Sequence, residues 1–240
     1  MLRNHPVDDL RFGVPLYTVG EAAAALGVPV STFATWVHGY TRQRPGGGRT
    51  TRSALVTHVE VAGGPSIPFV GLAEGLVLAA FRRSGVPMQR IRPALEALAS
   101  ELGVAHALAS ERLYTDGAEV LVDLAERASG VVAPEVSELV VVRSGQRVFA
   151  PVVESYLKRI SFAADGFAEL IHLPLYSRAD VVADPRRSFG QPIFASGSAR
   201  VRDALERFWA GEELSEVAED FGVPLADLED VVRAASRRAA

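Results

Sequence analysis

Four arginines, Arg42, Arg44, Arg49 and Arg52, surround the glycine run Gly46-Gly47-Gly48 with no carboxylate among them. A guanidinium stays charged at physiological pH and presents a fork of donors, so such a cluster suits the binding of phosphate or carboxylate oxygens. Arg82, Arg83, Arg90 and Arg92 form a second acid-free group between Gly75 and Leu95. The opposite sign gathers near the other end. From Asp203 to Asp230 there are ten carboxylates and one cation, Arg207. The net charge of −4 hides this segregation, which implies two partner surfaces of unlike charge on one chain.

Other chemistries lack their residues. There is no cysteine, which removes disulfides, thiolate metal sites and thiol nucleophiles and fits a reducing cytoplasm. The five histidines (His5, His38, His58, His106, His172) form neither an H-x-x-x-H nor a Glu-x-x-His pair, so no metal site is expected. No serine sits in a G-x-S-x-G elbow. The glycines of "GQPIFASGSARV" lack a helix start placed to receive a pyrophosphate, and the triple glycine is not followed by the Lys-Ser/Thr of a phosphate loop. The acid pairs Glu212-Glu213, Glu219-Asp220 and Glu229-Asp230 read as exposed helical faces rather than catalytic dyads. No enzyme and no cofactor are expected. No apolar run approaches the ~20 residues of a membrane span, and "MLRNHPVDDL" is unlike a signal peptide, so the expectation is a cytoplasmic protein without a membrane partner.

The arginine loop must be held by what precedes it, "YTVGEAAAALGVPVSTFATWVH". Glu21–Leu26 is alanine-rich and helical, Gly27 ends that helix, Val28-Pro29 turns, and Val30 or Ser31 opens a second helix whose Phe33, Trp36 and Val37 share one buried face. Ala23 lets the helices cross closely and Phe33 locks them, which makes a helix-turn-helix. Ser31, Thr35 and His38 then face outward, toward base edges or phosphates, while Arg42, Arg44, Arg49 and Arg52 hold the DNA backbone. The glycine loop cannot be helical and predicts a wing or arm followed by a β-rich stretch from Ala54 to Val61.

Helices are expected over Phe69–Arg83 and from Met88 onward, broken at Gly85-Val86-Pro87. In the middle, Asp116-Gly117 and Ser144-Gly145 read as hairpin turns between β-prone runs, and "AELIHLPLYSR" as a strand. The end is helical over Arg202–Ala210, Leu214–Phe221 and Leu225–Arg238. The expected fold is mainly α with α+β parts. It comprises a winged helix-turn-helix over 1–105, a small central α/β unit over 106–180, and an acidic helical domain over 181–240.

That last domain repeats the first. Displaced by 195 positions, Gly27-Val28-Pro29 meets Gly222-Val223-Pro224, Ala23 meets Ala218, Phe33 meets Leu228 and Val37 meets Val232. Core and turn positions agree. Ser31, Ala34 and Thr35, by contrast, become Ala226, Glu229 and Asp230, which the periodicity places on the outward face with Asp227. One scaffold is used twice, and only the early copy has a charge that suits DNA.

Two family resemblances follow from these motifs. "YTVGEAAAALGVPVSTFATWV" and "FRRSGVPMQRIRPALEAL" are similar to the MerR-type winged helix-turn-helix. That family carries Arg or another large polar residue where this chain has Ala34 and Thr35, which shifts affinity onto the Arg42–Arg52 loop. Residues from about 181 to 235 resemble a bacterial domain of unknown function common in type II antitoxins, through Asp184-Pro185, Gly190-Gln191-Pro192, Gly211-Glu212 and Ala218-Glu219-Asp220. The order of the two resembles VapB-type antitoxins. The resemblance implies a dimer that binds operator DNA, represses its own operon and neutralises a PIN-domain ribonuclease toxin. The toxin contact would then draw on Glu229, Asp230, Arg233, Arg237 and Arg238, the acids covering a basic rim or an arginine entering the Mg²⁺-binding carboxylates. The alternatives are arginines that only complement their helix dipole, and a free-standing transcription regulator with no toxin partner.

Overall fold

In the computed structural model, which describes residues 9–43, 47–85, 87–127, 140–143 and 146–239, the first helix pair is built from local signals. Thr18 Oγ1 accepts the Glu21 N–H at 3.1 Å and the Glu21 carboxylate accepts the Thr18 N–H at 2.8 Å, a reciprocal cap that opens α1 (Val19–Leu26). Gly27, at φ +66°, closes α1 in the left-handed region that favours glycine. Pro29 precedes α2 (Val30–His38), which buries Phe33, Trp36 and Val37.

A wing follows directly. Strands β1 (Tyr40–Gln43) and β2 (Arg49–Arg52) pair antiparallel, Tyr40 opposite Arg52 and Gln43 opposite Arg49, across the glycine run. Residues Ala54–Val61, expected to be β-rich, form no strand. Their backbone donors are taken elsewhere: Leu55 and Val56 N–H go to the Trp36 carbonyl at 2.7 and 3.2 Å, and Thr57 N–H to the Glu74 carboxylate at 2.5 Å. Three consecutive donors spent on a helix end and a carboxylate are not available to a ladder.

Helix α3 (Phe69–Arg83) lies at the centre, buried from Phe69 to Phe81. Its Gly75 admits the helix-turn-helix, since a β-carbon there would stand 2.6 Å from the Phe33 ring and 2.8 Å from Leu26. Helix α4 (Met88–Leu102) follows the expected break. Residues 111–127 correct the reading of Asp116-Gly117 as a turn, because they form one helix, α5 (Glu111–Arg127). Leu113, Gly117 and Leu121 recur every four residues. A β-carbon on Gly117 would crowd Leu113 and Phe149 at 3.0 and 3.1 Å, so the glycine serves close packing inside a helix, not reversal of the chain.

The expected second hairpin is present as β3 (Val140–Arg143) paired with β4 (Gln146–Phe149); its turn, Ser144-Gly145, lies outside the described residues. After α6 (Pro151–Leu157), strands β5 (Ile160–Phe162), β6 (Ala168–His172), β7 (Val181–Ala183) and β8 (Ile193–Phe194) form an antiparallel sheet in chain order, with β6 in the expected place. Helices α7 (Val201–Trp209), α8 (Leu214–Phe221) and α9 (Leu225–Ala239) end the chain close to the expected bounds. The fold is mixed α and β, with a helix-turn-helix at the N-terminus. Nearly all of the buried apolar side chains among the described residues join in one cluster from Phe12 to Val231. Two polar ties cross it: Arg11 binds Asp165 at 2.5 Å and the buried Tyr17 hydroxyl donates to the Gly190 carbonyl at 2.7 Å. Among the described residues no helix is long and apolar enough to cross a membrane.

Candidate nucleic-acid interface and its acidic counterpart

The two helix-turn-helix copies agree bond for bond. Gly27 and Gly222 lie at φ +66° and +62°. Val28 N–H donates to Ala23 at 3.0 Å, and Val223 N–H to Ala218 at 2.9 Å. Phe33 N–H donates to Pro29 at 3.1 Å, and Leu228 N–H to Pro224 at 3.2 Å. Ala23, Val28 and Phe33 are buried, as are Ala218, Val223 and Leu228. The shared sequence positions are therefore the ones that set the turn and its packing.

In the early copy, Ser31 is exposed at the start of α2, one residue after the exposed Val30. Thr35 is half-buried, and its hydroxyl donates to the Ser31 carbonyl at 2.8 Å, so that proton is spent within the helix. His38 is exposed at the C-terminal end of α2, its ring edge-on to His58 at 5.5 Å. The turn into the wing needs glycine: Gly39 sits at φ +65°, and a β-carbon there would collide with the Arg52 carbonyl. Arg42 lies on β1 opposite Thr50, Arg49 is exposed and Arg52 half-buried; neither Arg49 nor Arg52 forms an ion pair among the described residues. Arg44 lies outside the described residues. The structure thus places the C-terminal end of α2 beside a wing that carries three of the four expected arginines.

The wing is braced by residues that sequence reading had not singled out for this role. Arg92, buried on α4, donates to the Ser53 carbonyl at 2.5 Å, one residue past β2, and lies 3.7 Å from Glu96. Burial lowers its guanidinium below the ordinary value, and Glu96 opposes that shift. Glu74 on α3 is buried and accepts both the Thr57 N–H and, at 3.0 Å, the Thr57 hydroxyl; His106 Nδ1 stands 3.3 Å from it. A signal for Glu74 was present: it is the one charge in the apolar run Phe69–Phe81, and a lone acid there must find donors.

The late copy presents acids. Glu213, Glu216, Glu219, Asp220 and Glu229 are exposed, and Asp227 is half-buried. Arg207, the single cation of this stretch, is bound by Glu212 and by Asp220 at 2.7 Å and lies against the Phe221 ring. Arg207 holds the Glu212 carboxyl below the usual carboxylate range.

Asp230 corrects the outward-face expectation. It is 1% exposed, and one carboxylate oxygen accepts the N–H groups of Ser177, Arg178 and Ala179 at 2.6, 2.7 and 3.2 Å. Burial pushes its carboxyl up, but the three N–H donors and Arg233 outweigh this and hold it below the usual range. It braces α9 against the loop before β7 and is withdrawn from any partner's reach. No local pattern reveals this, because the donors lie about fifty residues away. Glu229 and Arg233 are exposed, Arg233 standing 3.7 Å from Asp230; Arg237 is exposed, and the Arg238 side chain lies outside the described residues.

Comparison with known proteins agrees with this geometry. Residues 15–95 match a family described as "Putative DNA-binding HTH domain". The chain is 49% identical over 231 residues, 94% of its length and 96% of the relative's, to "Putative antitoxin VapB45" of Mycobacterium tuberculosis. It is 26% identical to "Uncharacterized protein Rv2308" of the same organism, over 90% of this chain and 88% of that one. The X-ray crystal structure of Rv2018 from Mycobacterium tuberculosis superposes with a TM-score of 0.81 at 46% identity, covering 93% of this chain and all of that one. The near-complete overlap at this identity leaves one assignment: the chain belongs to the VapB-type antitoxins that carry a helix-turn-helix domain at their N-terminus.

Proposed function

We propose that this antitoxin acts as a homodimer that binds operator DNA through its first helix-turn-helix and wing, represses its own operon, and neutralises a PIN-domain ribonuclease through its acidic second copy. The observation that carries the reading is one turn geometry built twice with opposite surface charge. In the first copy, Ser31, Thr35 and His38 lie along α2, and Arg42, Arg44, Arg49 and Arg52 belong to the adjoining wing. Lys- and Arg-rich surfaces bind duplex DNA by displacing its counterions. In the second copy, Glu213, Glu216, Glu219 and Glu229 repel DNA and suit the basic groups with which a ribonuclease holds RNA. Arg233, Arg237 and Arg238 end α9 and supply cations for a carboxylate cluster that binds Mg²⁺. The chain itself carries out no chemistry in this reading. The test is to reverse Glu213, Glu216, Glu219 and Glu229 to lysine in the full-length protein. The variant should still retard promoter DNA but protect RNA poorly from the ribonuclease encoded beside it. Loss of DNA binding with protection intact would reverse the assignment of the two copies. Failure of the wild-type protein to bind any neighbouring product would leave a transcription regulator alone.

A further inference from the structure

Ser188, Phe189 and Gly190 lie consecutively at φ +47°, +53° and +75°. Side chains on the first two are strained there, and a β-branch-free aromatic gains nothing locally that would offset it. The loop is nevertheless held from several sides. Gly190 N–H donates to the Asp184 and Arg187 carbonyls at 3.1 and 3.0 Å. Its own carbonyl accepts the buried Tyr17 hydroxyl, against which a β-carbon at this position would collide. The Arg187 guanidinium donates to the Gly197 carbonyl. The product of this bracing is a phenyl ring left 72% exposed, the most exposed of the large apolar side chains among the described residues. A strained backbone maintained by its surroundings to present an aromatic ring to water is the mark of a binding anchor.

A receptacle lies beside it on the same molecule. Two and three residues further on, Gln191 and Pro192 enter the lining of a cleft of about 580 Å³ between α1, α7 and α9. Ala24, Leu205, Val231 and Ala235 give it apolar walls, and Trp209, itself 61% exposed, stands in the lining. Phe189 is not among the residues that line it. The charges around both are paired within the chain, Arg186 beside the phenyl loop with Glu169 at 3.3 Å, and in the cleft Arg202 with Glu206 at 2.7 Å and Arg200 with Asp203 at 2.8 Å, which leaves the ring and the apolar walls as the unsatisfied surfaces.

We infer that two copies of this chain associate by reciprocal insertion of Phe189 into the cleft of the other copy. Tyr17, which holds Gly190, also lines the cleft, so anchor and receptacle adjoin and suit a two-fold axis, because each copy then offers both and receives both, and the contact closes at two. The inference rests on the homodimer of the proposed function and names its interface.

The test measures self-association of the full-length protein without DNA, by sedimentation equilibrium, with far-ultraviolet dichroism to verify the fold. The wild type should sediment near twice 25.6 kDa at tens of micromolar. Phe189→Gly, which relieves the backbone while deleting the ring, should dissociate on the order of tenfold or more readily, the loss expected for a central aromatic anchor. Ala235→Arg, which fills the cleft, should dissociate likewise. An equimolar mixture of the two variants should regain an intermediate association, because one intact ring then meets one open cleft. A Phe189→Gly protein that dimerises like the wild type overturns this interface and leaves the dimer standing on another face. Two weakened variants with no recovery on mixing also overturn it. A wild type that is monomeric removes the dimer itself, and the interface with it.

Discussion

Thr35 and Asp230 occupy the same step of the two helix-turn-helix copies, yet one bonds within its own helix and the other leaves it. The Thr35 hydroxyl donates to Ser31 a turn back, whereas the Asp230 carboxylate gathers three N–H groups from Ser177 to Ala179. Their substitutions should differ accordingly. Asp230→Ala leaves three donors without their acceptor and should cost about 2–3 kcal/mol in urea unfolding. Thr35→Ala should change stability by less than about 0.5 kcal/mol, as surface substitutions do. Equal costs would show that Asp230 does not brace the fold.

Acid should weaken the protein through the same group. The folded carboxyl of Asp230 titrates below its unfolded value of about 3.9. Its contribution is therefore fully present above that pH and is lost as pH falls through the lower folded value. Asp9, whose carboxyl is lowered chiefly by its hydrogen bonds from Arg11, acts in the same direction. Thermal unfolding should show the wild-type midpoint dropping steeply below pH 4. Asp230→Asn should begin lower at neutral pH and fall less steeply. Parallel curves would remove Asp230 as the source.

On the opposite face, replacing Arg42, Arg44, Arg49 and Arg52 together by alanine should abolish most promoter binding. The slope of log affinity against log salt should shrink by about one unit for each lost phosphate contact. Arg92→Gln should produce part of the same loss, since it frees the Ser53 carbonyl and with it the base of the wing. Retardation of promoter DNA over a salt series measures both, and an unchanged slope in the quadruple variant would move the DNA contact elsewhere.

Gly75 is held to its size by its neighbours. Valine there would drive a methyl group into the rings and methyls of Phe33 and Leu26 and should destabilise by about 1–3 kcal/mol. Chemical denaturation checks it; a neutral result would mean that α3 can withdraw from the helix-turn-helix without cost.

What could be read in advance divides along the range of the interactions. Gly27, Pro29 and Phe33, with their partners Gly222, Pro224 and Leu228, act within a few residues of themselves, and both copies were legible from spacing alone. Gly117 was misread because a glycine after an aspartate signals a turn, while the reason for this one is a ring on β4, Phe149, more than thirty positions later. Ala54–Val61 has strand-forming residues, but the competing acceptors, Trp36 and Glu74, belong to other elements. Asp230 shares a sequence pair with the exposed Glu229 and differs from it only through a loop fifty residues upstream. The charged surfaces were visible as composition; which acid belongs to the surface was not.

The hydroxyl of Tyr17 reaching the backbone of Gly190 joins the start of the first helix-turn-helix to the approach of the second, inside one continuous core. A force applied at either end acts on packing that supports the other, because the buried side chains among the described residues form one cluster. Where that core unfolds as one cooperative unit, the two charged faces share a single lifetime, and whatever each holds is released together.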